Sequence, residues 1–579
     1  MRAETMRAVF ALLSGCMALK RPEKPHLIML VLDDVGWADV GYHGSNFPTP
    51  NIDSLVKSGV ELDRMYAMPQ CSPTRSSIMT GRWAWTIGMQ HWSTILPGSA
   101  AGIPSDAMTL GEVMQKAGYD THAIGKWHLG YSSKAQMPTS RGFNSYLGYL
   151  QGQTDYYNRT VPSCAPAVCF YRANCKGTFH RPLCSETKTS PLGIDAASLD
   201  FWDGEQPIRT DFGRYTEDAY MSRFKEILAA QNASTKPLFL YFAQQLLHIP
   251  LQLPSDPKHA EACRHVRGGS AEVNRTVLCA MASRLDEFMG EMVSLLKGAG
   301  MYENSLIWAF SDNGGMTQWS DMFPASASSN FPLRGGKTTL FEGGVRTPSF
   351  IFGGALPATA RGSKRRELLH AVDILPTFAG LAGFDTTSLP INGQDMWGTI
   401  TGSQVTARSE LPLNIAMNRD LSATAIPAFG RGWSEANYTA VIQWPYKLIL
   451  GEPFIANLMG LPSDKDRGGW WGVEEYSYTP PPDSEKKLGA WLYNIDQDEG
   501  EHNNLAEQLP EVVANITQRV TGWWFSNSKS GYRRPQLNIP RLLSNPMLQN
   551  WTWGPFAHLG HSADGSTDAS TDSSVSLLV

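Results

Sequence analysis

The sequence predicts an α/β sandwich, a large mixed sheet flanked by helices, with a smaller α+β domain toward the C-terminal end. Three observations carry that reading. Apolar runs of strand length recur, at 27–32, 237–243 and 305–310, and the first and last run straight into Asp33-Asp34 and toward Asp312-Asn313. Uninterrupted runs of this length mark strands buried on both faces. Segments with helix start and stop signals lie among them, so strands and helices alternate. From about residue 400 the texture changes to short strands and loops such as Pro480-Pro481-Pro482.

Taken in order, residues 1–20 read as a secretory signal, because Arg2 and Arg7 precede an apolar stretch from Ala8 to Leu19 with small residues near its end. That stretch is too short to span a bilayer, and no later run reaches the roughly 20 apolar residues a transmembrane segment needs. Leu13-Ser14-Gly15-Cys16 admits a second reading as a bacterial lipoprotein cleavage site, which would place the chain in a periplasm through Cys16.

Residues 26–400 are read as the first domain. The strand at 27–32 delivers Asp33 and Asp34 at its C-terminal end, the edge where ligands sit in such sheets. Thr49-Pro50 opens a helix that closes near Gly59, and Thr109 to Ala117 forms another, stopped by Gly118. Ser72 is expected to cap, and Pro73 to open, a helix between them, since the fixed φ of proline suits a first turn. A loop-rich insert at about 154–214 holds four cysteines and is expected to shape access to a site. Residues 401–560 form the smaller domain, with a strand at 446–450, and the tail at 561–579 has too little apolar mass for a core.

A chain of 579 residues, 42% hydrophobic and 18% charged, has room for a large core. Its formal net charge of -5 offers no general attraction to nucleic acid and argues against that partner. Apart from Cys16 and Cys71, six cysteines remain: Cys164, Cys169, Cys175, Cys184, Cys263 and Cys279. An even number fits an oxidising compartment, but spacing does not choose among the pairings. A zinc site is the competing reading, which lacks a CxxC or paired histidines to support it. Sequons at Asn158, Asn232, Asn274, Asn437, Asn515 and Asn550 fit a secreted glycoprotein.

The most informative chemistry is in Cys71-Ser72-Pro73-Thr74-Arg75, followed by Thr80-Gly81-Arg82. A helix N-terminus carries partial positive charge and free N–H groups, so a nucleophile placed there can meet an anion such as sulfate or phosphate. Arg75 adds a permanent forked cation. Taken singly, Cys71 could equally be a buried structural cysteine, and the acidic pairs could simply cap loops. Lys126, His128, His248 and Lys337 would each pass for an ordinary surface charge or local hydrogen-bonding group.

Together these motifs resemble the sulfatase family, whose members convert the signature cysteine to formylglycine after translation. Gly118-Tyr119-Asp120-Thr121-His122-Ala123-Ile124-Gly125-Lys126-Trp127-His128 resembles the second signature of that family. The resemblance runs from about residue 26 to 509. It implies an alkaline phosphatase-like sandwich and a sulfuric ester hydrolase. It also implies that Asp33, Asp34, Asp312, Asn313 and residue 71 bind a divalent cation, Ca2+ first and Mg2+ second, a role suited to hard oxygen donors.

The mechanism so implied begins with hydrated formylglycine at position 71, one oxygen of which attacks sulfur and expels the alcohol, leaving a covalent sulfate ester. His248 with Lys337 assists the leaving oxygen, and His128 takes the proton whose loss eliminates sulfate and restores the aldehyde. Arg75 and Lys126 hold the anionic group. Lys126, His248 and Lys337 are thereby substrate-binding as well as catalytic. A formylglycine-generating enzyme is implied as a maturation partner.

Pro25-His26, Asp155-Tyr156-Tyr157, Leu333-Arg334-Gly335, Glu342-Gly343-Gly344-Val345-Arg346 and Leu492-Tyr493-Asn494-Ile495-Asp496 look like the arylsulfatase B group, which includes N-acetylgalactosamine-4-sulfatases. The expected substrate is a sulfated polysaccharide, glycosaminoglycan or aryl sulfate, and the expected location is the secretory pathway, secreted or lysosomal. Two readings compete: a phosphonate or phosphate monoester hydrolase of the same superfamily, and a silent glycan-binding relative. Two departures stand out. Thr74 replaces the commoner serine, and Asn414-Ile415-Ala416 stands where the group resembles Asn-Ile-Asp, a change expected at the far side of the pocket.

Overall fold

Strand β1 (His26–Leu32) is buried at every position and lies near the middle of a ten-stranded sheet. The computed structural model describes residues 24–90, 95, 101–162, 197–231, 236–266, 275–317, 327–406, 408–416, 438–451, 468–473, 477–482 and 490–527. The expected signal at 1–20 with Cys16, the cysteines Cys164, Cys169, Cys175 and Cys184, the sequons at Asn232, Asn274, Asn437 and Asn550, and the expected tail at 561–579 fall outside these residues.

The other strands of the large sheet are β2 (Val60–Leu62), β3 (Asp120–Lys126), β4 (Ser145–Tyr149), β5 (Trp202–Asp203), β6 (Gln206–Pro207), β7 (Leu238–Ala243), β8 (Ser305–Ser311), β9 (Ser349–Phe352) and β10 (Ser363–Arg365). They lie side by side in the order β10-β2-β9-β8-β1-β7-β3-β4-β5-β6. β1 pairs in parallel with both β7 and β8, and β3 and β4 continue the parallel run. β9 turns antiparallel against β8. The sheet is therefore mixed, with its parallel strands central, as the continuous apolar runs require.

Because side chains alternate across a strand, β1 feeds two separate cores. Leu27, Met29 and Val31 join Phe239, Tyr241, Trp308 and Phe310 on one face. Ile28, Leu30 and Leu32 join Leu240, Phe242, Ile307 and Ala309 on the other. Helix α1 (Pro50–Ser58) covers the second face through Ile52 and Val56, together with α4 (Thr216–Ala230) and α5 (Arg275–Gly298) through Phe224 and Phe288. Helices α2 (Cys71–Thr80), α3 (Leu110–Lys116) and α6 (Ile374–Leu381) cover the first through Ile78, Met114 and Phe378. The sandwich expected from the sequence is the observed architecture.

Thr109 caps α3 in a reciprocal box: its hydroxyl accepts from the Glu112 N–H at 3.3 Å while the Glu112 carboxylate accepts from the Thr109 N–H at 2.6 Å. Gly118, at φ 88°, then turns the chain as expected. The cap at α2 differs from the reading of Ser72. The helix starts at Cys71 itself with Gln70 as N-cap, because the Ser72 hydroxyl donates to the His128 carbonyl at 2.9 Å instead.

Four antiparallel strands, β11 (Glu410–Asn414), β12 (Tyr438–Gln443), β13 (Tyr446–Gly451) and β14 (Ala490–Asn494), make the smaller C-terminal sheet. Helix α7 (Pro510–Asn527) packs Ile516, Val520 and Trp524 on Val441, Leu448 and Leu492. The opposite face of this sheet packs Ile442, Ile449 and Tyr493 against Phe341 and Val345. Of the open cysteine pairings, Cys263 and Cys279 form a disulfide with Cα atoms 5.8 Å apart. Among the described residues no helix is long and apolar enough to cross a membrane.

Candidate active site

The central parallel strands end side by side, and each delivers polar residues to the same edge. Asp33 and Asp34 follow β1, His248 follows β7, and Asp312 and Asn313 follow β8. Lys126 closes β3. Just before it, Gly125 has φ 96°, and a Cβ there would lie 1.8 Å from the Ala243 carbonyl oxygen, so only glycine lets β3 lie against β7 at this point. Asp34 and His128 adopt left-handed backbone at φ 59° and 53°, a conformation uncommon outside glycine and often found at functional sites.

Cys71, the first residue of α2, is 3% exposed and points its Sγ at Asp33 Oδ1, 3.7 Å away. Lys126 Nζ donates to both Asp33 oxygens at 2.8 and 3.1 Å. Arg75 donates through Nε to Asp312 Oδ2 at 2.8 Å and approaches Asp33 Oδ2 at 3.6 Å. Lys337 Nζ donates to Asp34 Oδ1 at 2.6 Å, and Asn313 Nδ2 donates to the same oxygen at 2.7 Å. His248 presents Nε2 to Asp34 Oδ2 at 3.8 Å, its ring set by a 2.7 Å hydrogen bond from Nδ1 to the Ile249 carbonyl. All the residues expected from the sequence thus lie in one buried cluster, with His128 at its side.

His128 is held by a hydrogen bond between Nε2 and the Ile95 carbonyl at 3.1 Å. Its Nδ1 is buried and makes no hydrogen bond among the described residues. Gly152 lies close on the ring, where a Cβ would come within 3.0 Å of Cε1.

Three carboxylates, Asp33, Asp34 and Asp312, face three cations, Arg75, Lys126 and Lys337. Burial alone would raise the two aspartates after β1, yet both sit below the usual carboxylate range: Lys126, His248 and Arg75 pull Asp33 down, and Lys337 and His248 pull Asp34 down. Burial, reinforced by Asp312, pushes the Cys71 thiol up to about 12. Burial and Lys337 bring His248 down to about 4, and burial with Lys126 and Arg75 takes His128 well below its ordinary value.

Ligand atoms of Asp33, Asp34, Cys71 and His248 lie within 4.8 Å of one another. Asp34 Oδ2 and Asn313 Oδ1 are buried without a hydrogen-bond donor among the described residues. Orphaned hard oxygens amid carboxylates are what a calcium or magnesium ion takes as ligands. The donor set therefore fits such a cation. Adding two positive charges to the three-against-three balance would leave the cluster net positive and able to attract an anion.

One contributor escaped the sequence reading. The Tyr156 hydroxyl donates to the carbonyls of Gln245 and His248 at 2.6 and 3.0 Å and so holds the turn that presents His248. Tyr156 appeared in the sequence only as part of a motif shared with relatives, and nothing local in Asp155-Tyr156-Tyr157 reveals a partner about 90 residues away.

The sulfatase family model matches residues 25–384. Arylsulfatase J of Mus musculus is 34% identical over 537 residues, which cover 92% of this chain and 80% of that protein. N-acetylgalactosamine-6-sulfatase of Mus musculus is 28% identical over 405 residues, 68% of this chain and 69% of that protein. Among solved structures, Ps i-CgsB in complex with k-i-k-neocarrahexaose has a TM-score of 0.64 at 24% identity, covering 91% of this chain and 98% of that one, a likeness of fold.

Proposed function

The chain belongs to the sulfatase family, and from that premise we propose that it removes sulfate from a sulfated carbohydrate or aryl sulfate through a formylglycine made from Cys71. The observation that carries this reading is the position of residue 71: it opens a buried helix against Asp33, with Arg75, Lys126, His248 and Lys337 around it. Hydrated formylglycine would supply a hydroxyl to attack sulfur and a second through which the aldehyde is restored. Asp33, Asp34, Asp312 and Asn313, with residue 71, would hold Ca2+ or Mg2+, which when bound lowers the pKa of a neighbouring hydroxyl and draws in negative charge.

The remaining residues act directly. Arg75 and Lys126 stand where they can hold the sulfonyl oxygens and stabilise charge that grows in the transition state. Lys337 and His248 face the same pocket from the side of Asp34 and would assist the leaving oxygen, Lys337 as a proton donor and His248 as one only in its imidazolium form, since the neutral ring carries its proton on Nδ1 toward Ile249. His128, with Nδ1 unengaged and Nε2 tied to Ile95, would accept a proton at Nδ1 when sulfate departs.

Cys71 to Thr80 is buried throughout, so a formylglycine-generating enzyme would need to reach Cys71 before this helix docks. A carbohydrate substrate is supported by the likeness to an N-acetylgalactosamine-6-sulfatase. The Cys263–Cys279 disulfide and the exposed sequon asparagines Asn158 and Asn515 support the secretory pathway, with secretion or lysosomal delivery as its end.

The test begins with mass spectrometry of the residue 71 peptide. On material shown to carry formylglycine, kcat/KM for an aryl sulfate is expected to exceed that for the matching aryl phosphate or phosphonate, and sulfate is expected to leave some member of a panel of sulfated oligosaccharides. A preference for phosphonate would reassign the substrate class. Binding of sulfated sugar without release would favour the silent relative.

A further inference from the structure

We propose that Tyr438, carried by the C-terminal sheet, is a positioning residue that sets Lys337 and the segment leading into the Cys71 helix through the strained residue Thr338. The proposal rests on the sulfatase reading for its activity assay and on geometry for everything else. Thr338 follows Lys337 directly and has φ 75°, in the left-handed region where a β-branched side chain is an outlier. Such a conformation lasts only where its surroundings hold it.

Both backbone groups of Thr338 are held. Its N–H donates to the Pro69 carbonyl at 2.9 Å, two residues before Cys71. Its carbonyl accepts from the Tyr438 hydroxyl at 3.0 Å, across 100 residues of sequence. Lys337 itself is anchored by its N–H to the Gly315 carbonyl at 3.1 Å, so the Thr338 peptide decides how the side chain between these anchors is aimed at Asp34.

Tyr438 is fixed at its base. Its carbonyl accepts from Asn414 Nδ2 at 2.7 Å, and its N–H donates to the Ala416 carbonyl at 2.9 Å. The Asn414-Ile415-Ala416 departure noted in the sequence therefore lies beneath this tyrosine. Tyr438 is 5% exposed, and burial alone raises its hydroxyl, with no charged neighbour contributing, so it stands apart from the charged cluster and acts through Thr338.

The experiment compares Tyr438→Phe with wild type, formylglycine having been verified in both. Expected is a fall in kcat on an aryl sulfate of about 10-fold with KM within about 2-fold, the size of loss that follows small misplacement of a reacting group. Thr517→Val removes a hydroxyl on α7 that donates to the Val513 carbonyl and touches neither Thr338 nor Ala416, and its kcat should stay unchanged. Glycine adopts positive φ without strain, so in a Thr338→Gly background the loss from Tyr438→Phe should shrink to less than about 2-fold. Should Tyr438→Phe fold poorly, Asn414→Ala loosens the same tyrosine and should give the same split at smaller size.

A crystal structure of Tyr438→Phe supplies a readout independent of turnover: Lys337 Nζ should leave Asp34 Oδ1. Unchanged kcat in Tyr438→Phe, an equal loss in the Thr338→Gly background, or an unmoved Lys337 each overturns the proposal. An inert wild type with formylglycine in place would instead sink the sulfatase reading, and the position of Lys337 would still decide this one.

Discussion

Glu217, the second residue of α4, is fully buried, and neither of its carboxylate oxygens makes a well-formed hydrogen bond among the described residues. Burial pushes it from 4.5 up to about 8, offset only in part by its own N–H, Arg284 and the Gln245 N–H. In an unfolded chain it titrates near the lower value. Between the two, the folded state binds a proton that the unfolded state has lost, so the contribution of this group is full below about 4.5 and is lost as pH rises through about 8. At about 1.4 kcal/mol per pH unit the gap amounts to about 5 kcal/mol, an upper bound that water entry or local rearrangement would reduce. Glu217→Gln keeps the shape and removes the titration. It should be less stable than wild type by about 1 kcal/mol in acid, where its extra N–H lacks a partner, and more stable by a few kcal/mol near pH ~8. Urea midpoints of both proteins at the two pH values measure this, and groups common to both cancel in the comparison. Equal pH dependence in the two proteins, or a variant weaker than wild type at the alkaline value, would refute the reasoning.

Other expectations follow from the same kind of accounting. Lys126→Met strips Asp33 of its nearest side-chain cation in a fully buried site, which should lower stability by about 3–5 kcal/mol and kcat/KM by at least about 100-fold; an active, stable variant would show that Arg75 and a bound metal suffice to neutralise Asp33. Treatment with a calcium chelator should lower the melting temperature and added Ca2+ should restore it, by up to about 4 kcal/mol when free metal exceeds Kd about 1,000-fold. A melting temperature indifferent to both would remove the oxygen-donor reading of Asp33, Asp34, Asp312 and Asn313. Lys447 Nζ lies 2.9 Å from carboxylate oxygens of both Glu342 and Glu501 inside the protein. Lys447→Met should cost about 3–5 kcal/mol at neutral pH and less in acid, where Glu501, raised by burial to about 7, is protonated. Denaturation at two pH values separates these outcomes.

The central strands could be read from the sequence because burial on both faces leaves no polar position, and the stretch from Leu27 to Leu32 has none. Short edge pieces such as β5 and β6, two residues each, carry no such period and were invisible. The start of α2 was misplaced because local cap rules do not know that the Ser72 hydroxyl is claimed by His128. Asp33-Asp34 and Asp312-Asn313 were readable as strand-end acids, but their meeting with Lys337 was not: 303 residues separate Lys337 from Asp34, and only the likeness to a family joined them beforehand. Tyr156 and Tyr438 act through single hydroxyl contacts to distant backbone, a role that leaves no pattern in the neighbouring residues.

The placing of β1 between partners that come over 200 and over 270 residues later has a consequence during synthesis. A ribosome extends the chain by about 5–20 residues each second, so this apolar ribbon waits many seconds with both rims bare. Bare rims invite neighbouring polypeptides. Heterologous production should therefore gain from abundant holdases, and a gene truncated before residue 305 should give insoluble product rather than half a protein.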